Sequence, residues 1–98
     1  MDYINKVELQ GIIGRVKDTP PFIDFSLCTS EIYNTANASL IETIWHSVKV
    51  LSENVKGFPE NGRFAHVIGR SKTSKYCDIE GKEHYEFYIY ANNVEIIN

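Results

Sequence analysis

Hydrophobic and polar residues alternate with a period of two along most of this 98-residue chain. Alternation of this kind is typical of β-strands that bury one face and expose the other. Residues 52–56 predict one or two helical turns between the third and fourth strands, since Ser52 suits an N-cap and Gly57 suits a stop. The five predicted strands lie within residues 7–13, 23–27, 44–50, 64–69 and 85–91.

The connections between the predicted strands differ in length and composition. Residues 15–21 end in two prolines and predict a turn, because neither a strand nor a helix runs through such a pair. Residues 29–42 are rich in Asn, Ser, Thr and Ala and predict a long loop, part of which could extend the flanking strands. Residues 70–84 predict a hairpin arm with its tip near residues 78–81. Long connections thus follow the second and fourth strands.

These elements predict an all-β protein with a single domain over residues 1–98, since no repeat, linker or low-complexity tract divides the chain. A strand-rich domain of this size suggests a small closed barrel. The five-stranded Greek-key OB-fold barrel fits the strands and their connections, and it binds oligomers across one face. An SH3-like barrel fits the periodicity almost as well.

Composition narrows the class of protein. The chain has 43% hydrophobic and 23% charged residues, which is ordinary for a globular domain and excludes disordered and collagen-like chains. No apolar run approaches the roughly 18 residues of a membrane span, and the N-terminus lacks a signal-peptide profile, so we expect a cytoplasmic protein. Ten Lys and Arg residues against 13 Asp and Glu residues give a net charge of -3. This negative net charge argues against a protein that binds nucleic acid through its overall charge alone.

Patterns typical of enzymes and metal sites are missing from the sequence. Cys28 and Cys77 form no C-x-x-C pair, and the histidines stand singly at positions 46, 66 and 84. A zinc site needs three or four converging ligands, which these residues do not supply. No P-loop, G-x-S-x-G or H-E-x-x-H pattern occurs. We therefore expect no enzymatic activity, no metal and no cofactor.

Aromatic residues in polar surroundings are the most informative feature. Alternation places Trp45 and Lys49 on the outer face of the third strand, and Tyr33 and Tyr76 lie in polar segments. Cations that follow phosphates and rings that stack on bases are the chemistry of single-stranded nucleic acid binding. The alternative for Trp45 is that a neighbouring loop or a partner subunit covers it. The cations near the arm tyrosine are Arg70, Lys72 and Lys75.

Several segments resemble the bacterial single-stranded-DNA-binding protein family. The most specific is residues 43–50, Thr-Ile-Trp-His-Ser-Val-Lys-Val, which is close to the family's Thr-Glu-Trp-His third strand. Residues 25–31 resemble its second strand, and residues 72–76, followed by Gly81 and Tyr85, resemble its fourth strand and hairpin arm. The resemblance spans almost the whole chain.

The resemblance implies an OB-fold, usually in a homotetramer, over which single-stranded DNA wraps during replication, recombination or repair. It also implies that Trp45, Tyr33 and Tyr76 stack on bases, and that Lys75 is a basic contact of the arm. His46 matches a histidine at the subunit interface, although an imidazole hydrogen-bonded inside its own barrel fits as well. The predicted nucleic-acid-binding residues are therefore Tyr33, Trp45, Lys49, Arg70, Lys72, Lys75 and Tyr76.

The chain also departs from the family pattern. Leu51 stands where a further stacking aromatic is frequent, and Ser47, Glu53 and Asn61 stand where cations are common. Fewer cations release fewer counterions, so we predict weaker and less salt-dependent binding than that of a typical member. Cellular members continue into a linker and an acidic tip beyond the point where this sequence stops. We therefore expect either a stand-alone binding domain or a trimmed chain.

A second hypothesis is a protein-interaction module. The short, dimeric primosomal replication protein N group shares the predicted fold and lacks the tail, and this chain is similar to it. There the barrel mainly docks other replication proteins, with DNA contact secondary. The acidic balance favours this hypothesis, whereas the Trp45 strand and the arm favour the first. Oligomeric mass discriminates between them, because a dimer favours the second.

Overall fold

Five long strands carry the architecture, which a computed structural model describes over residues 1–98. Strand β4 has two residues, whereas the other strands have 13 or 14. No helix of the structure has the length and apolar character needed to cross a membrane. The elements in chain order are β1 (Val7–Thr19), β2 (Phe22–Asn34), β3 (Ser39–Leu51), a 3-10 turn (Ser52–Asn54), β4 (Val55–Lys56), β5 (Phe64–Cys77) and β6 (Glu83–Ile96).

The long strands close into a barrel. Antiparallel ladders join β3 to β2, β2 to β1, β1 to β5, and β5 to β6. The ring closes where β3 and β6 run parallel, with Val48 beside Ile89 and Val50 beside Ala91. The short strand β4 pairs in parallel with β6. The predicted all-β class and closed five-stranded barrel are therefore confirmed.

The interior of the barrel is filled from alternate positions of β1, β2, β3 and β5, and from Ala91 and Val94 of β6, which lie on either side of a register shift in the β5–β6 ladder. Small and β-branched side chains dominate it, and such side chains pack well on a pleated surface. The inward faces predicted for the second and third strands are confirmed. The buried apolar residues are Ile13, Phe25, Leu27, Val48, Val50, Ala65, Val67, Ala91 and Val94.

A β-bulge interrupts the ladder between β1 and β2. Register shifts between Ile13 and Val16, so that Gly14 and Arg15 together lie opposite Ser26. The Ser26 hydroxyl accepts a hydrogen bond from the Arg15 backbone N–H at 2.9 Å. A bulge bends its strand and re-aims nearby side chains. Here Gly14 lies against the side chain of Trp45, which projects from β3 across β2.

The first hairpin is longer than the sequence predicts. Strand β1 continues to Thr19, which pairs with Phe22, and only Pro20 and Pro21 form the turn. The prediction of a turn over residues 15–21 is therefore wrong. Two prolines end a strand where they stand, but they do not prevent pairing of the polar residues just before them.

The hairpin of β2 and β3 also extends much further than its composition indicates. Its ladder runs unbroken to Asn34 opposite Ser39, which leaves residues 35–38 as the tip. The interpretation of residues 29–42 as a long loop is wrong, and the alternative of extended flanking strands is right. We call residues 30–43 the distal hairpin. Every residue in it is exposed, so neither face gives an apolar period.

The predicted helical segment has only three residues and is shorter than one α-helical turn. It is a single 3-10 turn, Ser52–Asn54, followed directly by β4. Ser52 does not cap this turn, because its hydroxyl donates instead to the Pro21 carbonyl at 3.0 Å. The N-cap prediction for Ser52 is therefore wrong, and the residue ties the β3 end to the first hairpin.

The predicted hairpin arm is present. The ladder of β5 and β6 continues outward from the pair formed by Arg70 and Tyr90 to the pair formed by Cys77 and Glu83. The tip closes through the Asp78 N–H, which donates to the Lys82 carbonyl at 2.9 Å. Gly81 adopts a φ of 80° there, a backbone conformation that glycine tolerates best. We refer to residues 70–90 as the arm.

Candidate nucleic-acid interface

An open groove of about 870 Å³ lies on the outer face of the barrel. It runs from the bulge of β1 across β2 and β3 to β6. Its walls combine one indole, one phenol ring, three cations and two carboxylates. These side chains belong to Arg15, Lys17, Asp24, Trp45, Lys49, Glu86 and Tyr88.

Trp45 is the largest side chain in this groove, and 59% of its surface is exposed. It lies opposite Cys28 in the ladder and faces outward, as strand alternation predicts. No loop of the chain covers it. One edge of the indole rests on Gly14, where a Cβ atom would come within 2.6 Å of indole Cζ3. Glycine at the bulge therefore makes room for the ring and leaves the rest of its surface open.

We expect Gly14→Ala to disturb this seat. The added methyl would also lie 2.6 Å from the Ser26 hydroxyl oxygen, so the indole must move and cannot settle in the same place. The expected result is a shifted Trp45 emission maximum together with weaker binding of labelled oligo-dT, measured by anisotropy so that both backgrounds can be compared. In a Trp45→Ala background the same substitution should leave oligo-dT affinity unchanged. Equal losses in both backgrounds would contradict the role assigned to Gly14.

Lys49 lies at the closure of the barrel, next to aromatic rings. Its Nζ is 5.2 Å from the ring centroid of Phe22 and 5.7 Å from that of Tyr88. A cation held over ring faces loses little of its freedom when a phosphate arrives, because the rings already restrict it. The predicted cation Lys49 therefore shares the groove with Trp45.

A second group of cations continues this surface onto the arm. The Arg70 guanidinium carbon lies 5.5 Å from the Tyr90 ring centroid, and Lys72 Nζ lies 4.8 Å from it. Tyr90 pairs with Lys49 across the barrel closure and with Arg70 across the β5–β6 ladder. The structure thus brings two predicted cations, Arg70 and Lys72, onto the ring of one tyrosine, and the third, Lys49, is the backbone neighbour of that tyrosine across the closure.

Tyr76 lies further out on the same face of the arm. Alternation along β5 places it with Arg70 and Lys72, and 53% of its surface is exposed. Its ring stacks on His84, directly across the ladder, with the ring centroids 5.2 Å apart and the planes 19° apart. The other side of the tyrosine ring is available to a ligand.

Lys75 lies on the opposite face of the arm from Tyr76. Its Nζ forms an ion pair with Glu83 at 3.0 Å, and its ladder partner is Tyr85. Both members of the ion pair are about half exposed, so the pair itself stabilises the arm little. The structure therefore does not bring Lys75 together with the other predicted cations.

Tyr33 also lies apart from Trp45. In the unbroken ladder of the distal hairpin it pairs with Leu40, on the face opposite that of Trp45. Its hydroxyl donates a hydrogen bond to Glu31, which raises the pKa of the phenol, and Glu31 itself faces Glu42. The predicted stacking ring thus stands beside two carboxylates.

His46 is half buried on the inward side of β3. Its Nε2 lies 2.9 Å from the Thr29 hydroxyl oxygen on β2. This contact matches the alternative of an imidazole bonded inside its own barrel. The interface role of His46 stays a prediction.

Comparison with solved structures identifies the fold. An SSB protein of Plasmodium falciparum in complex with ssDNA matches with a TM-score of 0.78 and 19% identity over 100% of this chain and 98% of that chain. The chain has the OB fold of SSB proteins. A deletion variant of the single-stranded DNA binding protein from Thermus aquaticus matches with a TM-score of 0.76 and 17% identity, over 97% of this chain and 51% of that one.

This OB fold is recognised by structure and not by sequence comparison. No protein-family model matches the sequence, and no curated protein does. The OB fold expected from the sequence resemblance is confirmed. This chain spans about half the length of the Thermus aquaticus protein.

The OB barrel also exposes residues that the sequence did not single out. Arg15 and Lys17 line the groove but fall in the segment predicted as a turn. Tyr88 and Tyr90 lie on the outer face of the last strand, where alternation could have found them, because they flank the inward position of Ile89. The bulge that brings Arg15 to the groove leaves no such signal.

Proposed function

We propose that the chain binds single-stranded DNA without sequence preference and without catalysis, by stacking bases on exposed rings and contacting phosphates with cations. The observation that carries this proposal is one groove that holds exposed Trp45 together with Arg15, Lys17 and Lys49. A ring beside cations in an open groove suits a stacked base and its flanking phosphates. The Plasmodium falciparum protein of the same fold is in complex with ssDNA.

The proposed path of the strand follows the outer face of the barrel onto the arm. It starts at Trp45, passes Lys49 at the closure, and continues past Arg70 and Lys72 to Tyr76. Rings lie at both ends of this path and three cations lie between them, so the backbone meets local positive charge although the whole chain carries a net charge of -3. Stacking on rings needs no surplus of cations over the chain.

Tyr33 and Lys75 contribute less in this proposal. Each lies on the reverse side of its hairpin from the path, beside a carboxylate. A bound strand reaches them only if it turns around an edge of the barrel or the arm. Their substitution should therefore affect long oligonucleotides more than short ones.

A fluorescence titration with a salt series tests the proposal. At low salt, oligo-dT should quench Trp45, whereas a duplex of equal length should quench it much less. Between three and five phosphate contacts predict a log–log salt slope of about −2 to −3.5, since each contact on a single strand contributes about −0.7. Absence of quenching would exclude the proposed function. A much steeper slope would show that charge, and not stacking, dominates binding.

The second candidate function is docking of replication proteins by a dimer with weak DNA binding. The observation that favours it is the distal hairpin, where Ile32 and Ile41 pair face to face and are both exposed. On the reverse face, Glu31 and Glu42 lie directly opposite each other. Their like charges repel each other and also repel the phosphates of DNA. Light scattering decides between the candidates: we expect a homotetramer for DNA wrapping, and a dimer supports docking. We place either role in the cytoplasm.

A further inference from the structure

We propose that His84, held in place by Asp78, is a positioning residue that presents Tyr76 for base stacking. This inference rests on the proposed function. It assigns a purpose to an interaction at the tip of the arm that base stacking itself does not require. Three side chains carry it, and each contact between them is specific in geometry.

The first contact is the stack of two rings. Tyr76 on β5 and His84 on β6 are direct partners in the antiparallel ladder. Their ring planes are 19° from parallel and their centroids are 5.2 Å apart. Such offset stacking is a favourable aromatic arrangement. Because His84 occupies one side of the tyrosine ring, a base can stack only on the other side, and it would extend a column of two rings to three.

The second contact fixes the imidazole. His84 Nε2 lies 2.7 Å from Asp78 Oδ2. The carboxylate is an acceptor only, so Nε2 carries the proton and donates it. The hydrogen bond from His84 is the main cause that lowers the pKa of Asp78, and the carboxyl group is therefore ionised at neutral pH.

The third set of contacts fixes Asp78 itself. Its other oxygen, Oδ1, accepts hydrogen bonds from the backbone N–H groups of Glu80 and Lys82, each at 2.9 Å. One carboxylate thus orders the turn at the tip with one oxygen and orients the imidazole with the other. The ring of Tyr76 is held through His84 by the turn that closes its own hairpin.

An exposed tyrosine on a projecting arm would otherwise lose rotamer freedom when a base binds. Immobilising such a side chain weakens association by roughly two- to tenfold in the dissociation constant, and a ring that is already held avoids that loss. Preorganisation of this kind matters most at the tip of an arm, where no barrel packing restrains the ring. Arg70 and Lys72, by contrast, rest on Tyr90 near the barrel.

A double-mutant cycle tests the inference. Affinity for labelled oligo-dT is measured by anisotropy for the unmodified chain, His84→Ala, Tyr76→Ala and the double variant, and Trp45 emission verifies that each barrel is folded. His84→Ala should weaken binding by roughly two- to tenfold in the unmodified chain and by nothing measurable in the Tyr76→Ala background. His84→Phe keeps a ring against Tyr76 but cannot donate to Asp78, so its affinity should lie between that of His84→Ala and that of the unmodified chain.

Each result of the cycle has a definite meaning. Equal effects of His84→Ala in both backgrounds, or no effect in either, overturn the positioning role. Unchanged affinity in Tyr76→Ala overturns it as well, because a ring that binds no base needs no support. The proposed function survives all of these results as long as oligo-dT quenches Trp45. Absence of that quenching contradicts the proposed function itself.

Discussion

Replacing Trp45 with alanine is expected to weaken binding of oligo-dT by about 1–3 kcal/mol, the range measured for one base stacked on one aromatic ring. The indole is the largest exposed ring in the groove, and it stands beside three cations that would hold the flanking phosphates. Loss of the ring leaves these phosphate contacts in place. Binding should therefore persist with a similar salt slope but a larger dissociation constant.

Anisotropy of labelled oligo-dT measures this effect, because the variant has no tryptophan of its own. The matched control is Phe58→Ala, which removes a ring that is 66% exposed in the connection between β4 and β5, outside the groove. The control should bind within about twofold of the unmodified chain, a change of less than about 0.5 kcal/mol. Similar losses in both variants would show that exposed rings act nonspecifically, and an unchanged Trp45→Ala would remove Trp45 from the interface.

Replacing Leu27 with alanine is expected to lower the free energy of unfolding by about 2–5 kcal/mol. Leu27 has 0% of its surface exposed and lies in the middle of β2, inside the barrel. Truncation removes buried methyl groups and leaves a cavity, which the closed barrel cannot readily fill by moving its strands inward. A domain of this size has only about 5–15 kcal/mol in total, so the barrel should be close to its stability limit.

Urea unfolding followed by Trp45 fluorescence gives the measurement. The m-value should stay the same, since the surface exposed on unfolding barely changes. Ile79→Ala is the matched control, because Ile79 is 104% exposed at the tip of the arm and its loss should shift stability by less than about 0.5 kcal/mol. If Leu27→Ala were no more destabilising than this control, the interior described for the barrel would be incorrect.

The part of the fold that the sequence predicts is the part that buries one face. Leu27, Val48 and Val50 follow a period of two because the barrel must enclose them, so their strands are evident in the pattern. The distal hairpin is a ladder with solvent on both sides, and solvent imposes no pattern on it. Its strands therefore resemble a polar loop in the sequence, and only the register of the ladder defines them.

The candidate site shows the same division. Trp45 was predictable because a tryptophan at an outward position of a strand is conspicuous. Lys75 and Tyr76 were predicted together, yet neighbours on a strand point to opposite faces, and only the continuation of β5 through both residues separates them. Arg15 was not predictable, since its place in the groove depends on a bulge that no residue type announces.

The parallel contact between β3 and β6 couples ligand occupancy to the integrity of the barrel. Lys49 and Tyr90 are neighbours only while that seam is closed. An unfolded or opened chain lacks the groove and binds the ligand poorly. By mass action, oligonucleotide at 100 times its dissociation constant should stabilise the native chain by about 2.7 kcal/mol. The bound oligonucleotide would then also stabilise the closed form of the barrel.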